Sequence, residues 1–312
     1  MKNIFLAMLF FLSNAIFAQS SYSIDSSYTI KTTYNKLIKK YPFIKIVEEK
    51  KDNNVTENSD VVYSQNKNRA LHLDAYFNKT KKRNPAVIMI HGGGWKSGNK
   101  NQMQGLGMKI AAKGYSCFAV EYRLSLEAKY PEGVFDVKNA IKFIKDNARK
   151  FNVDPDKVAV LGCSSGGQMA ALIGTTNEDS TFDDAQNKAK ASSKVNAIIN
   201  IDGVLAFKHP ESSEGDMAAF WLKGNSAEVP ENWKNASALT HTDKNTPPIL
   251  FINSSIPRFH AGRDDMIAIL NQNNIYNEVH TIKDAPHSFW FFNPWFDETI
   301  RYTTQFLDKI FK

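Results

Sequence analysis

Ser164 stands in the run Gly162-Cys163-Ser164-Ser165-Gly166-Gly167, directly after the apolar stretch Val158-Ala159-Val160-Leu161 and directly before Gln168-Met169-Ala170-Ala171-Leu172-Ile173. A serine between two glycines at this spacing, entered from a strand and left by a helix, has the pattern of a nucleophile elbow. The chain turns so sharply there that a side chain at Gly162 or Gly166 would strike the neighbouring backbone. The helix that follows turns its first N–H groups toward the site and favours an oxyanion beside them. Upstream, His91-Gly92-Gly93-Gly94-Trp95 follows a second apolar stretch ending at Ile90. Three successive glycines leave backbone N–H groups free to converge on one oxygen, each worth about 3 kcal/mol in the transition state of an acyl transfer. Together the two motifs point to acyl-transfer chemistry, with Ser164 as nucleophile and Gly93, Gly94 and the N–H of Ser165 as oxyanion donors.

The elements needed to hold these motifs are legible around them. Val61-Val62-Tyr63 and Leu71 to Tyr76 read as a β-hairpin, the second strand alternating apolar and polar side chains. Pro85 to Ile90, Tyr115 to Glu121, Val158 to Leu161, Val195 to Ile201, Ile249 to Ile252 and Asn277 to Ile282 then read as strands. Helices are expected at Gly105 to Lys113, Phe135 to Phe151, after the elbow, and from about Thr299. Buried apolar strands alternating with helices predict an α/β fold, a mostly parallel sheet covered on both faces with its site beyond the carboxyl ends of the strands. The segment 207–240 breaks this rhythm with charges and glycines and is expected to form a lid or insertion over the site.

At 312 residues, 42% hydrophobic and 23% charged, with 16 Gly and 11 Pro, the chain is neither collagenous nor low-complexity, and it is long enough for one large α/β domain. The net charge of +7 comes from scattered short runs of Lys, which read as a solvated surface, so no nucleic-acid partner is expected. The two cysteines, Cys117 and Cys163, lie in apolar strand-like contexts and imply no disulfide framework. Lys2, the apolar run Ile4 to Phe17 and small Ala18 describe a signal peptide over 1–18 cut near Ala18, too short to span a bilayer. A secreted or periplasmic product with no membrane partner is therefore expected. Residues 19–60 form a polar leader with one short helix about Tyr34, Leu37 and Ile38, ahead of a catalytic domain over 61–312. Cys/His metal spacing and a dinucleotide loop are lacking, so neither metal nor other cofactor is expected.

His91 to Trp95, Glu121-Tyr122-Arg123-Leu124, Asp154 to Val158 and Gly162 to Gly167 together resemble the α/β-hydrolase esterases of the hormone-sensitive-lipase type. They are most similar to the secreted bacterial branch of acetyl xylan and pectin acetylesterases. The likeness covers roughly Leu71 to Phe311. It departs from the family in two places: Cys163 and Ser165 flank the serine where Asp and Ala are usual, and Ser125-Leu126-Glu127 replaces the usual Ala-Pro-Glu.

The resemblance implies the chain order serine, acid, histidine. His287, just past the strand Asn277 to Ile282, stands where the family has its histidine and is the expected base. The usual place of the acid, the loop after Ile249 to Ile252, holds Asn253 to Arg258 and no carboxylate. Three candidates remain open: Asp264 and Asp265 farther along that loop, and Asp202 at the end of the preceding strand. For substrate, Trp95 and Trp290, with Phe289 and Trp295, are candidates to stack on sugar rings, and Arg258 and His260 to bind a uronate carboxylate. The implied function is hydrolysis of short acyl, chiefly acetyl, esters on polysaccharides such as pectin or xylan. The alternatives are a general carboxylesterase and an inactive binding protein of the same fold. The oligomeric state is not legible.

Overall fold

A computed structural model describes residues 23–48, 52–66, 69–78 and 83–312. The apolar run Ile4 to Phe17 and the cut near Ala18 lie outside them.

In chain order the elements are α1 (Ile30–Leu37), β1 (Lys45–Ile46), β2 (Val55–Asn66), β3 (Arg69–Asn78), β4 (Asn84–Ile90), α2 (Gln104–Ala112), β5 (Ser116–Val120), α3 (Glu132–Asp146), β6 (Val153–Cys163), α4 (Ser165–Thr175), β7 (Ala197–Ile201), α5 (Gly215–Leu222), α6 (Pro230–Asn235), β8 (Ile249–Asn253), α7 (Arg263–Gln272), β9 (Asn277–Thr281), β10 (Phe292–Asn293) and α8 (Trp295–Phe311). Eight strands form one sheet in the order β2-β3-β5-β4-β6-β7-β8-β9. The hairpin β2–β3 and the β3–β5 pair are antiparallel, and every pair from β5 to β9 is parallel.

The central strands are apolar at successive positions because both faces are covered. Ala86, Ile88 and Ile90 of β4 belong to the buried cluster that includes α3, α4 and Met266 and Leu270 of α7, whereas Val87 and Met89 belong to the one on the other face that includes α2 and α8. The two sets alternate along the strand as the pleat requires. Each Val, Ile or Met among them, fully withdrawn from water, contributes about 1.5–3 kcal/mol.

Several element bounds differ from the sequence reading. β2 begins at Val55 rather than Val61, and α8 begins at Trp295 rather than about Thr299. α3 ends at Asp146, after which the chain turns so that Phe151 is buried against Phe118. The leader also takes more structure than its composition suggests. Beyond α1, whose Thr29 and Thr32 form a reciprocal capping box, β1 pairs with β10 and Tyr34 and Leu37 pack on the α2 and α8 side. Among the described residues no helix is long and apolar enough to cross a membrane.

Candidate active site

β6 hands directly over to α4 at Ser164, whose φ of 56° and ψ of −124° lie outside the ordinary regions for a non-glycine residue. Such a conformation costs of order 1–3 kcal/mol and is kept only where its surroundings enforce it. Here they do. The N–H of Ser164 donates to the Ile201 carbonyl at 2.8 Å and its own carbonyl accepts from Gln168 at 3.0 Å. A Cβ on Gly162 would lie 1.9 Å from the Gly166 carbonyl oxygen, and one on Gly166 would lie 2.2 Å from that of Ile90. No other residue fits either position with the turn intact.

The sheet register then decides which groups meet. Cys163 of β6 stands opposite Ile201 of β7, so the residues after these strands, Ser164 and Asp202, emerge side by side. Asn253 of β8 stands opposite Thr281 of β9, which sends the following loop and His287 back across the same edge. His287 Nε2 lies 2.9 Å from Ser164 Oγ, and its Nδ1 lies 2.9 Å from Asp202 Oδ2. Asp202 is 1% exposed, and its second oxygen accepts the Ser254 N–H at 2.7 Å. An imidazole so placed can take a proton from the hydroxyl at one nitrogen while the carboxylate holds the proton on the other.

Asp264 and Asp265, the other acids considered, do not reach His287. Both lie in the first turn of α7, where negative charge suits the helix dipole. Asp264 accepts from Arg263 at 2.8 Å, and Asp265 pairs with His209 at 3.0 Å, both carboxylates facing solvent.

The glycine loop reaches the same edge. Gly93 and Gly94 have φ of 131° and 61°, and the N–H groups of Gly94 and Ser165 donate to no backbone carbonyl among the described residues. Ser165 opens α4, so no helical carbonyl is available to it. Met217 of α5 packs over Gly94, 3.0 Å from where a Cβ would stand, so part of 207–240 lies over this loop.

The tryptophans differ from their expected use. Trp95 is 2% exposed, stacked on Trp221 at 4.8 Å and bonded through Nε1 to Gln168 Oε1 at 2.9 Å. Trp290 is 1% exposed and meets His287 edge-on. Phe289 and Trp295 are buried too. None presents a face to a sugar ring, because each packs its apolar face inward and, for Trp95, satisfies its N–H internally. The ring that composition did not single out is Phe259, stacked flat on the His287 imidazole at 3.5 Å. Arg258 lies across the outer face of Phe259 at 4.1 Å and forms an ion pair with Glu214 at 3.6 Å. His260 is half-buried, and burial, followed by nearby Arg263, lowers its pKa. Gly94, Trp95, Ser164, Ser165, Asp202, Val204, Glu214 and Phe259 line a cavity of ≈ 20 Å³, little more than one water needs.

Two supports of the site carry testable consequences. Tyr28, from the leader, is half-buried and its hydroxyl lies 2.7 Å from Ser288 Oγ, next to His287. Ser288 has a φ of 74°, so this contact helps to fix a strained residue beside the imidazole. Tyr28→Phe removes about 1 kcal/mol of hydrogen bonding, and kcat for an ester is expected to fall about three- to tenfold with KM unchanged. Equal changes in both parameters, or none, would assign Tyr28 to packing alone.

His91 is 1% exposed, stacked on Tyr122 at 4.5 Å, and donates from Nδ1 to the Gly92 carbonyl at 2.9 Å. Burial lowers its pKa from 6.5 to about 4. As pH falls through 6.5 the unfolded chain takes up a proton here, whereas the folded chain does so only near 4. The unfolded state therefore binds more protons across that window, and stability declines by about 3 kcal/mol on the way down. His91→Asn is expected to flatten the fall of Tm between pH 6.5 and 4, and an unaltered slope would place its origin elsewhere.

Compared with known proteins, residues 73–275 match the model of the family described as BD-FAE. Esterase LipC of Mycobacterium tuberculosis (strain ATCC 25618 / H37Rv) is 29% identical over 192 residues, 59% of this chain and 45% of that protein. The chain thus spans less than half the length of this curated relative. Among solved structures, a truncated carbohydrate esterase from gut microbiota superposes with a TM-score of 0.69 at 23% identity, covering 84% of this chain and 99% of the other. The acetyl ester-xyloside bifunctional hydrolase of Caldicellulosiruptor lactoaceticus gives 0.69 at 21% identity, covering 81% and 96%.

Proposed function

The chain belongs to the BD-FAE family and has the α/β-hydrolase fold, and from that premise we propose that it is a serine esterase acting on short acyl esters of polysaccharides. The observation that carries this reading is the unbroken line Ser164 Oγ, His287, Asp202, with both contacts at 2.9 Å. In the proposed reaction His287 Nε2 takes the Ser164 proton as Oγ attacks the ester carbonyl. The N–H groups of Gly93, Gly94 and Ser165 hold the oxyanion, and the same proton passes to the departing alcohol. Water then repeats the sequence on the acyl enzyme. Asp202 keeps the imidazole proton on Nδ1, so that Nε2 is free to accept.

A short acyl group is supported by the ≈ 20 Å³ cavity beside Ser164, which has no room for a long chain as it stands. Carbohydrate is supported by what two of the structural neighbours are described as hydrolysing. Export, the role of 1–18, rests on the apolar run Ile4 to Phe17, and an exported product still carrying Met1 to Ala18 by intact mass would remove that part. The test of the whole is acetate release from acetylated xylan or pectin beside hydrolysis of 4-nitrophenyl acetate. Activity confined to long-chain esters would overturn the acyl class. Activity on 4-nitrophenyl acetate without release from either polymer would favour a general carboxylesterase, the reading closest to the curated relatives' names.

A further inference from the structure

Glu214 takes no part in the reaction just derived, yet it lines the cavity beside Ser164. It precedes α5, and its side chain is 15% exposed. Its Oε1 is shut off from solvent and has no hydrogen-bond partner among the described residues. The guanidinium of Arg258 stands 3.6 Å away, close enough to attract and too far to donate a hydrogen bond. Burial raises the Glu214 pKa, opposed by Arg258 and then by His287.

A buried acceptor without a donor costs about 1–3 kcal/mol, so its retention calls for an explanation. None of the other lining side chains donates to it: Val204 and Phe259 are apolar, Trp95 Nε1 is bonded to Gln168, and Ser165 Oγ, itself without a partner among the described residues, does not come within hydrogen-bond reach. The missing donor can come from substrate. An alkyl or aryl ester brings none and would leave Oε1 buried and unpaired. An ester whose alcohol carries a second hydroxyl on the adjoining carbon brings one close to the scissile bond.

We propose that Glu214 is a specificity-determining residue that accepts a hydrogen bond from a hydroxyl vicinal to the ester, so that monoesters of polyols are preferred over esters of simple alcohols. This rests on the serine-esterase reading and narrows its substrate class.

The test compares kcat/KM for 2-hydroxyethyl acetate with that for propyl acetate, which puts a methyl where the hydroxyl was. The parent protein is expected to prefer 2-hydroxyethyl acetate by at least about tenfold, the worth of one well-placed hydrogen bond. Glu214→Leu should bring that ratio to one or below, whereas Glu214→Gln, whose amide oxygen still accepts, should keep most of it. A parent ratio within twofold of one, or a ratio unchanged in a folded Glu214→Leu protein, would overturn the assignment and leave the esterase reading standing. Failure of the parent protein to cleave either acetate would remove the esterase reading, and this inference with it.

Discussion

Ser164→Ala is expected to slow the hydrolysis of 4-nitrophenyl acetate about 10⁶-fold, on the scale of nucleophile removal in other serine hydrolases. Its Tm should stay within a few degrees of the parent's. The change deletes one oxygen and leaves the turn intact, because the backbone bonds to Ile201 and from Gln168 do not involve the side chain. Alanine meets the same backbone strain at φ 56° as serine, so there is no strain relief to offset the loss. What disappears is the atom that attacks and the 2.9 Å partner of His287 Nε2. The residual rate should remain above that in water, since the proposed oxyanion donors are backbone groups that survive. A fluorophosphonate probe should label the parent at Ser164 and leave the variant untouched. Labelling of the variant, or retention of more than about a hundredth of the rate, would mean that another group attacks.

How far this site is legible in the sequence depends on whether a feature is local. The elbow is legible because its strand, turn and helix are contiguous and its glycines are demanded by contacts within a few residues, such as that of Gly162 with Gly166. The parallel strands are legible because strands covered on both faces, such as that running from Pro85 to Ile90, are apolar at every step. Groups placed by long-range packing are not. Tyr28 reaches Ser288 across most of the chain, and nothing in the polar leader marks it as the residue that does so.

Trp95 and Trp290 read as sugar platforms from their neighbours in sequence, but aromatic content does not say which way a ring faces, and both face inward. Phe259 and Glu214 carried no signal of their own. Their importance comes from the fold of 205–262, which brings the loop before α7 and the start of α5 to the same cavity. The acid is an intermediate case. Its residue type was legible and its strand was not, because the choice among three aspartates turns on which strand ends stand beside β6.

Asp202→Asn is where that choice can be read in turnover, and kcat is expected to fall about 10⁴-fold. Asp202 Oδ1 accepts the Ser254 N–H and Oδ2 accepts from His287 Nδ1. An asparagine has one oxygen for two donors. If that oxygen stays with Ser254, the amide NH₂ faces Nδ1 and drives the imidazole proton to Nε2, where it points at Ser164 and can accept nothing. If the amide turns over, its NH₂ opposes the Ser254 N–H at a site 1% exposed, and water is not there to relieve the clash. Only the first arrangement withdraws the base; the second keeps the proton on Nδ1 but leaves the buried Ser254 N–H without an acceptor and lowers stability, so a large loss of kcat at unchanged Tm marks the first. Asp264→Asn and Asp265→Asn break solvent-facing pairs with Arg263 and His209, worth at most about 1 kcal/mol, and kcat should stay within about twofold of the parent. Measured side by side, the three variants place the acid: a large loss at Asp264 or Asp265, or less than tenfold at Asp202 with Tm unchanged, would show that the contact at the end of β7 is not the one that works.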